Sequence, residues 1–348
     1  MAALLRFGLV GCGDFGRHLG RYILEVGTIA GLCDPQVQRA RDTAAALGLE
    51  ASCFARYEEL FARGGLDAVA ITAANFAHAP IAVAAARAGL HVFCEKAMAR
   101  TVPECWEMVR ACQAQGVKMM VGHKRRLRPP WARLIELVRP NGPLGEPLAI
   151  QACGYADYRP YRFTESWWGD PRRCGGQLHA TNVHVIDWFR AMCGEARRVS
   201  AFYGPQHETG YQYPDILHLT FSFHRGAVAT LTSAMTFPLH KFRQSEGPWG
   251  ECRHGGFKLV PSLDHIDLYW QRLDEEHPHH ERFDDLGFDH AYRLEIGDFV
   301  RWVQEERPPC LTWVEGLRCV ELMEAAYRSA EQGGRVVELP LYPELELR

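Results

Sequence analysis

Several things are missing from this sequence, and each absence narrows what the chain can be. No run of 18 uncharged apolar residues occurs, so no segment reads as a membrane-spanning helix. No two of its 12 cysteines have C-x-x-C spacing, which removes the common zinc and dithiol patterns. The thiols lie in apolar surroundings such as Leu32-Cys33 and Phe93-Cys94 and read as reduced, mostly buried small hydrophobes. Charge of one sign is lacking too. A formal net charge of -3 gives no field for nucleic acid or an anionic membrane, so neither is an expected partner and a small molecule is. There is no internal repeat and no low-complexity tract. Met1 to Leu5 runs into the first apolar stretch with no basic leader, so a cytoplasmic location is expected. His277, His279 and His280 fall in an acidic segment beginning at Asp274; with no fixed helical face there, a solvated loop is expected rather than a metal site, and no metal is assigned.

What is present is core. With 348 residues, 47% of them hydrophobic, the chain can bury a large interior and divides more readily into two domains than one. Phe7 to Val10 is a short apolar run suited to a buried parallel strand, and it stops at Gly11-Cys12-Gly13-Asp14-Phe15-Gly16, a G-x-G-x-x-G. Leu19, Tyr22, Ile23 and Val26 then recur at helical spacing, and Ile29 to Cys33 is a second apolar run that closes on Asp34. Strand, glycine turn, helix, strand and acid follow in the order a dinucleotide site needs. Gly11 allows the tight turn, Gly13 lets the backbone approach a pyrophosphate, and Gly16 lets the helix pack on the strand with its N-terminus toward the phosphates. Asp34 can accept hydrogen bonds from the ribose hydroxyls and would repel a 2′-phosphate, so NAD is expected in preference to NADP. A plain glycine turn is the alternative reading, and the surrounding strand, helix and acid weigh against it.

The rhythm continues to about residue 122. Helices are expected over Arg39 to Leu47, Tyr57 to Arg63, Ile81 to Ala88 and Pro103 to Ala114, with strands over Asp67 to Thr72, His91 to Cys94 and Val117 to Val121. Ala73 to Pro80 is read as the lead into the third of these helices. Alternating strands and helices imply a doubly wound parallel sheet, an α/β dinucleotide-binding Rossmann domain over residues 1–122. Beyond it, residues 123–348 read as a second α/β domain. Trp131 to Val138 and about Gln177 to Met192 are expected helices. Pro147 to Cys153, Val199 to Tyr203, Ile216 to Phe223, Ala227 to Met235, Gly256 to Val260 and Ile266 to Trp270 form a large, mainly antiparallel open sheet. Two closing helices, within about 289–331, are expected to pack back on the first domain.

Lys96 follows the carboxyl end of an expected parallel strand, where open α/β sheets bind ligands. Beside a cationic nicotinamide its ammonium form would be disfavoured, which suits proton exchange with a hydroxyl; a surface ion pair with Glu95 is the alternative. The run His123-Lys124-Arg125-Arg126-Leu127-Arg128 carries four fixed positive charges and can steer a carboxylate or phosphate, with Arg126 the chosen substrate residue. Asp157, in Tyr155 to Arg159, is a reserve carboxylate. Trp167 and Trp168 either pack a sugar face or anchor their own loop.

These residues resemble the Gfo/Idh/MocA oxidoreductases. The resemblance rests on Gly11 to Gly16, Asn75 with His78, HVFCEKAMA at His91 to Ala99, GGQLHATNVHVID at Gly175 to Asp187, and Glu324 to Ser329, and it spans essentially the whole chain. It implies a NAD-dependent dehydrogenase acting on CH-OH groups of a sugar, inositol or related polyol, or one carrying an anionic group. The implied cofactor residues are Gly11, Cys12, Gly13, Asp14, Phe15, Gly16, Asp34, Ala73, Asn75, His78, Glu95 and Lys96. The implied catalytic residues are Lys96 and His184. His179, Asn182 and His184 join Arg126 and Asp157 on the substrate side. In the family it resembles the open sheet often mediates oligomers, so the resemblance implies a homodimer or homotetramer. Two positions depart from the family pattern: Ala97 stands where the family has proline after Glu-Lys, and Ala180 stands where sugar-oxidising members have an aspartate four residues before the histidine. Asn182 replaces a common glycine, and Asp187 matches an acid read as structural. Two other readings stay open: a NAD-dependent enzyme that cleaves glycosidic bonds, and a sugar-sensing regulator without turnover.

Overall fold

In the computed structural model, which describes residues 4–161, 165–207, 210–236, 247–262, 264–284 and 287–346, the chain divides into two units. The first comprises Met1–His123 with Tyr292–Val320, and the second Lys124–Ala291 with Glu321–Arg348. Among the described residues no helix is long and apolar enough to cross a membrane.

The first unit is built in strict alternation: β1 (Leu5–Val10), α1 (Asp14–Val26), β2 (Gly27–Cys33), α2 (Val37–Ala46), β3 (Ser52–Phe54), α3 (Tyr57–Ala62), β4 (Ala68–Ile71), α4 (Asn75–Arg87), β5 (His91–Glu95), α5 (Val102–Ala114) and β6 (Met119–Gly122). Six parallel strands lie in the order β3-β2-β1-β4-β5-β6, so the winding reverses between β1 and β4. Ligands of such sheets bind at the carboxyl ends of the strands beside that reversal. The strands are apolar throughout because helices cover both faces, as Phe7, Leu9, Val69, Ala70, Val92 and Phe93, all inaccessible, show. Phe299, from the Tyr292–Val320 portion, adds an aromatic contact to Phe7 at 6.0 Å and to Phe93 at 5.8 Å.

One expectation is corrected here. Helix α4 starts at Asn75, not after Pro80, and carries that proline in its second turn. Proline is a start signal in sequence, but burial of Asn75, His78, Ala79, Ile81 and Ala82 on one element offsets the missing N–H.

The second unit contains α6 (Pro129–Leu137), β7 (Pro147–Tyr155), α7 (Pro171–Cys174), α8 (Gln177–Ala180), α9 (Val183–Cys193), β8 (Ala196–Tyr203), β9 (Ile216–Phe223), β10 (Val228–Ala234), β11 (Trp249–Cys252), β12 (Gly255–Pro261), β13 (Ile266–Arg272), β14 (His279–Phe283) and β15 (Val337–Glu338). Helix α10 (Phe288–Glu305) and α11 (Trp313–Glu331) complete the chain's longer elements. Nine strands lie in the order β14-β13-β12-β11-β7-β10-β9-β8-β15, antiparallel except for β7 against β10. Alternation is plain in β9, where Leu217, Leu219, Phe221 and Phe223 are buried, and Phe221 meets Phe189 of α9 at 6.3 Å. Val228, Trp249 and Tyr269 remain substantially exposed.

Three further corrections concern this unit. The helix expected from Gln177 to Met192 is two helices, α8 and α9, interrupted at Thr181 and Asn182. Strands β11, β14 and β15 were not expected, since each is too short or too charged to show alternation. His279 and His280, expected in a loop, open edge strand β14, while His277 lies in the bend before it: His279 stacks on Trp270 at 3.8 Å and His280 on Tyr269 at 4.6 Å, and Glu275 and Asp267 take their ring nitrogens.

Candidate active site

The glycine turn of the first unit is set by close contacts that only hydrogen can make. Gly11 has φ +97°, and a Cβ there would lie 2.5 Å from the backbone nitrogen of Ala73. A Cβ on Gly16 would lie 2.0 Å from the carbonyl oxygen of Gly11, so α1 packs on the turn only with glycine at that place. Gly13 is different: nothing lies within 4 Å of its absent Cβ, which leaves the backbone open on that side. Asp14, the first residue of α1, is exposed, and Phe15 is half-buried.

Asp34, nearly buried at the end of β2, accepts the backbone N–H of Cys12 at 3.0 Å through Oδ2 and that of Gln36 at 2.9 Å through Oδ1. Each oxygen keeps a second lone pair, so the carboxylate can hold the turn and still accept ribose hydroxyls. The cradle therefore fits a dinucleotide. Burial, with Asp34 nearby, pushes the Cys12 thiol up to about 12, making it a neutral packing group and not a nucleophile. Two residues that sequence reasoning missed complete the turn: Thr43 donates to the Cys12 carbonyl at 3.0 Å and Thr72 to the Gly11 carbonyl at 2.6 Å. Their signal was only a threonine at an element facing the glycines.

Glu95 ends β5 and is buried; its Oε2 accepts the backbone N–H of Lys96 at 3.2 Å. Lys96 is partly exposed and its peptide to Ala97 is cis. Ala97 to Ala99 are inaccessible, so the segment after the lysine is anchored in the core. His78 of α4 is wholly buried, with Nδ1 2.9 Å from the Ala97 carbonyl and Nε2 2.9 Å from the Ala73 carbonyl. Asn75 is buried in the first turn of the same helix. Glu295, also missed from sequence, joins Glu95: a Cβ on Gly122 would lie 3.0 Å from Glu95 Oε1 and 3.2 Å from Glu295 Oε1.

In the second unit, His184 occupies the first turn of α9 and is 9% exposed. His179 is 1% exposed, stacked on Tyr327 at 5.9 Å with Nδ1 3.4 Å from the phenol oxygen. That oxygen also accepts the Leu178 N–H at 2.7 Å, and complete burial pushes the phenol far above its ordinary range. Tyr327 thus fixes the start of α8, a role no local pattern announces. Asn182 points into the sheet, donating to backbone and to Ser233. Asp157 is forked by Arg159, at 2.8 and 2.9 Å. Ala180 lies in an apolar cluster with Cys174, Tyr211, Tyr213 and Met235, against which Tyr158, Trp167 and Trp168 pack. Tyr213 donates to the Trp168 carbonyl at 2.6 Å, so the two tryptophans anchor their own loop.

The basic run is also engaged within this unit. Arg126 donates through Nε to Asp187 Oδ2 at 2.8 Å and through Nη2 to Asp187 Oδ1. Arg128 lies between the rings of Trp131 and Phe288, its guanidinium carbon 4.2 and 3.9 Å from their centroids. Arg125 and Arg126 keep partial exposure.

A glycine cradle closed by an acid, on a parallel sheet of this order, defines a dinucleotide-binding α/β protein. Residues 5–123 match the model of the oxidoreductase family with NAD-binding Rossmann fold, and residues 131–248 match the GFO/IDH/MocA C-terminal domain. The chain belongs to the GFO/IDH/MocA oxidoreductase family, and its first unit is a NAD-binding Rossmann domain. Over 352 residues it is 26% identical to inositol 2-dehydrogenase of Salmonella typhimurium, with 98% of each chain covered. It is 29% identical over 244 residues to 2,7-anhydro-N-acetylneuraminate hydratase of Mediterraneibacter gnavus, covering 67% of this chain and 63% of that protein. The structure of the WlbA dehydrogenase from Bordetella pertussis in complex with NADH and UDP-GlcNAcA matches in fold, with a TM-score of 0.83 at 23% identity over 97% of this chain and 99% of that one.

Proposed function

We propose that the chain oxidises a carbinol carbon of a sugar, inositol or related polyol with NAD, and that Lys96 and His184 handle the hydroxyl proton. The observation that carries this is Lys96 itself: a partly exposed lysine one residue beyond β5, on a sheet whose β1 turn is built for a dinucleotide. NAD bound on that turn supplies the hydride acceptor, C4 of its nicotinamide. As the C–H electrons leave the carbinol carbon, its O–H proton must be taken up and the C–O bond becomes a carbonyl. His184 is assigned as acceptor, and Lys96 as the group that hydrogen-bonds the reacting oxygen and exchanges the proton. Glu95 binds the Lys96 N–H and His78 the Ala97 carbonyl, which fixes the backbone from which the lysine side chain extends. The inositol 2-dehydrogenase relative, matched end to end, supports the polyol class.

On the substrate side, Ala180 offers no carboxylate, so the hydroxyl pattern recognised must differ from one read by an aspartate. Arg126 and Arg125 remain the candidates for an anionic substituent. The exposed apolar residues Val228, Trp249 and Tyr269 of the nine-stranded sheet support assembly as a homodimer or homotetramer. A second reading, bond cleavage through transient oxidation without net NADH, is favoured by the likeness to a hydratase.

Absorbance of NADH over a panel of polyols, hexoses and their acidic derivatives tests the reading. Stoichiometric NADH from one of them supports it. Product release from a glycoside or anhydro-sugar with no net NADH replaces it with the second reading, and NAD binding with neither reaction replaces it with a sensor.

A further inference from the structure

We infer that Asn182 is the positioning residue for His184, and that it works by wedging the helix apart against Gly154. The inference rests on the assignment of His184 as proton acceptor. Gly154 of β7 and Ser233 of β10 are directly paired in the sheet, and both are covered by the α8–α9 connection. The amide nitrogen of Asn182 sits over that pair, 3.1 Å from the Gly154 carbonyl, 2.6 Å from Ser233 Oγ and 3.0 Å from Thr181 Oγ1. Three oxygens surround a group with two N–H donors, so its place is over-determined. Its other atom, Oδ1, lies 1.8 Å from where a Cβ on Gly154 would be. Only glycine at 154 admits the side chain.

The backbone consequence is direct. The Asn182 N–H still closes α8 on the Leu178 carbonyl at 3.0 Å, while the Asn182 carbonyl already receives Val185 N–H at 2.9 Å and Ile186 N–H at 3.2 Å. Asn182 thus keeps helical bonds on both sides, and the break lies in the dihedrals, φ −119° and ψ −55° at Thr181 and φ −108° and ψ 10° at Asn182, which leave the helical values. Thr181 reinforces the break by turning its hydroxyl back onto the Gln177 carbonyl at 2.9 Å. In an unbroken helix Ala180 and His184 would stand one above the other on a common face. Here His184, the second residue of α9, takes its direction from Asn182 instead. With 4% exposure and its donors turned into the sheet, Asn182 acts through the backbone and not by touching substrate.

The test uses the full chain with Asn182→Gly, Gly154→Ala and the double variant. Gly154→Ala drives a methyl into the Asn182 amide, so Tm and turnover both fall. Asn182→Gly removes the wedge and the collision, so the double variant is expected to regain the Tm of Asn182→Gly while kcat stays roughly tenfold to a hundredfold below the parent, with KM for NAD within a few-fold. Nitrogen-15 spectra of labelled histidine, with His184 assigned by its loss in His184→Gln, read the ring directly: its titration midpoint and ring shifts are expected to move in all three variants. Parent-level kcat in the double variant, or an unmoved His184 signal in Asn182→Gly, overturns the inference. If no alcohol yields NADH with the parent, the dehydrogenase reading fails on its own, and the His184 signal still decides the wedge.

Discussion

His78 Nδ1 lies 2.9 Å from the carbonyl oxygen of Ala97, the residue directly after Lys96. With Nε2 2.9 Å from the Ala73 carbonyl, the ring ties the turn after β4 to the segment after β5. A neutral imidazole donates to one of these carbonyls, a cationic one to both. Burial outweighs the carbonyls and holds the pKa below its ordinary 6.5. His78→Leu is expected to cost about 1–3 kcal/mol by leaving buried carbonyls unpaired, and to lower turnover through Lys96. It also changes the acid limb of stability. The folded state binds the His78 proton less readily than the unfolded chain, so this contribution is whole above pH 6.5 and is lost as pH falls toward the folded value. Tm measured across that window should therefore fall less steeply in His78→Leu than in the parent; equal slopes would count against a neutral, clamped ring.

Asp34 should make NAD bind more tightly than NADP, because a carboxylate that can accept a 2′-hydroxyl repels a 2′-phosphate. Asp34→Ser is expected to narrow the preference, and also to weaken NAD itself, since the Cys12 and Gln36 N–H groups lose their acceptor. Fluorescence titration with both nucleotides checks this. An NADP affinity equal to or above that for NAD in the parent sinks the assignment.

Lys96→Ala is expected to lower kcat by roughly a hundredfold or more, the scale of a positioned acid or base, with NAD affinity within a few-fold. Steady-state rates beside a direct NAD titration separate the two. Unchanged turnover rules out a proton-handling lysine.

Arg126 and Asp187 form a pair whose side chains are 12% and 0% exposed. Removing one partner of such a pair typically costs about 3–5 kcal/mol, so Arg126→Ala should lose activity by lowering the unfolding midpoint in urea. Arg126→Lys keeps charge without the fork. A raised KM for an acidic substrate, at near-parent stability, would show that the guanidinium also meets an anion; an unchanged KM confines Arg126 to Asp187.

Ala180 predicts that myo-inositol and glucose are poor substrates at best, because Ala180 itself supplies no carboxylate four residues before His184. Restoring one should not help. Ala180 is 5% exposed among Cys174, Tyr211, Tyr213 and Met235, so Ala180→Asp buries a charge in apolar surroundings and is expected to lower Tm without raising inositol turnover. Rapid inositol oxidation by the parent, or a gain in the variant, would show that the substrate is read elsewhere.

Local chemistry was legible in the sequence. The glycine turn works through backbone, and its glycines and acid lie within one strand, one helix and the end of the next strand, so Gly11, Gly13, Gly16 and Asp34 were readable from spacing and residue type, whereas Thr43 and Thr72, on other elements, were not. Lys96 was readable for the same reason, as the residue after a short apolar strand. Alternation exposed most of the second sheet, and failed at edge strand β14, where charges replace the apolar face.

Only the tertiary structure decided the rest, because the partners are far apart in the chain. Asn182 breaks a helix that its own neighbours favour, and the cause lies 28 and 51 residues away in Gly154 and Ser233. Arg126 is held by Asp187 across 61 residues, and Leu178 by Tyr327 across 149. Helical periodicity reports which residues share a face and is blind to a side chain that needs a hole in another strand. The sequence by itself determined the glycine turn and its acid; the fold decided which way Asn182 and Arg126 are turned.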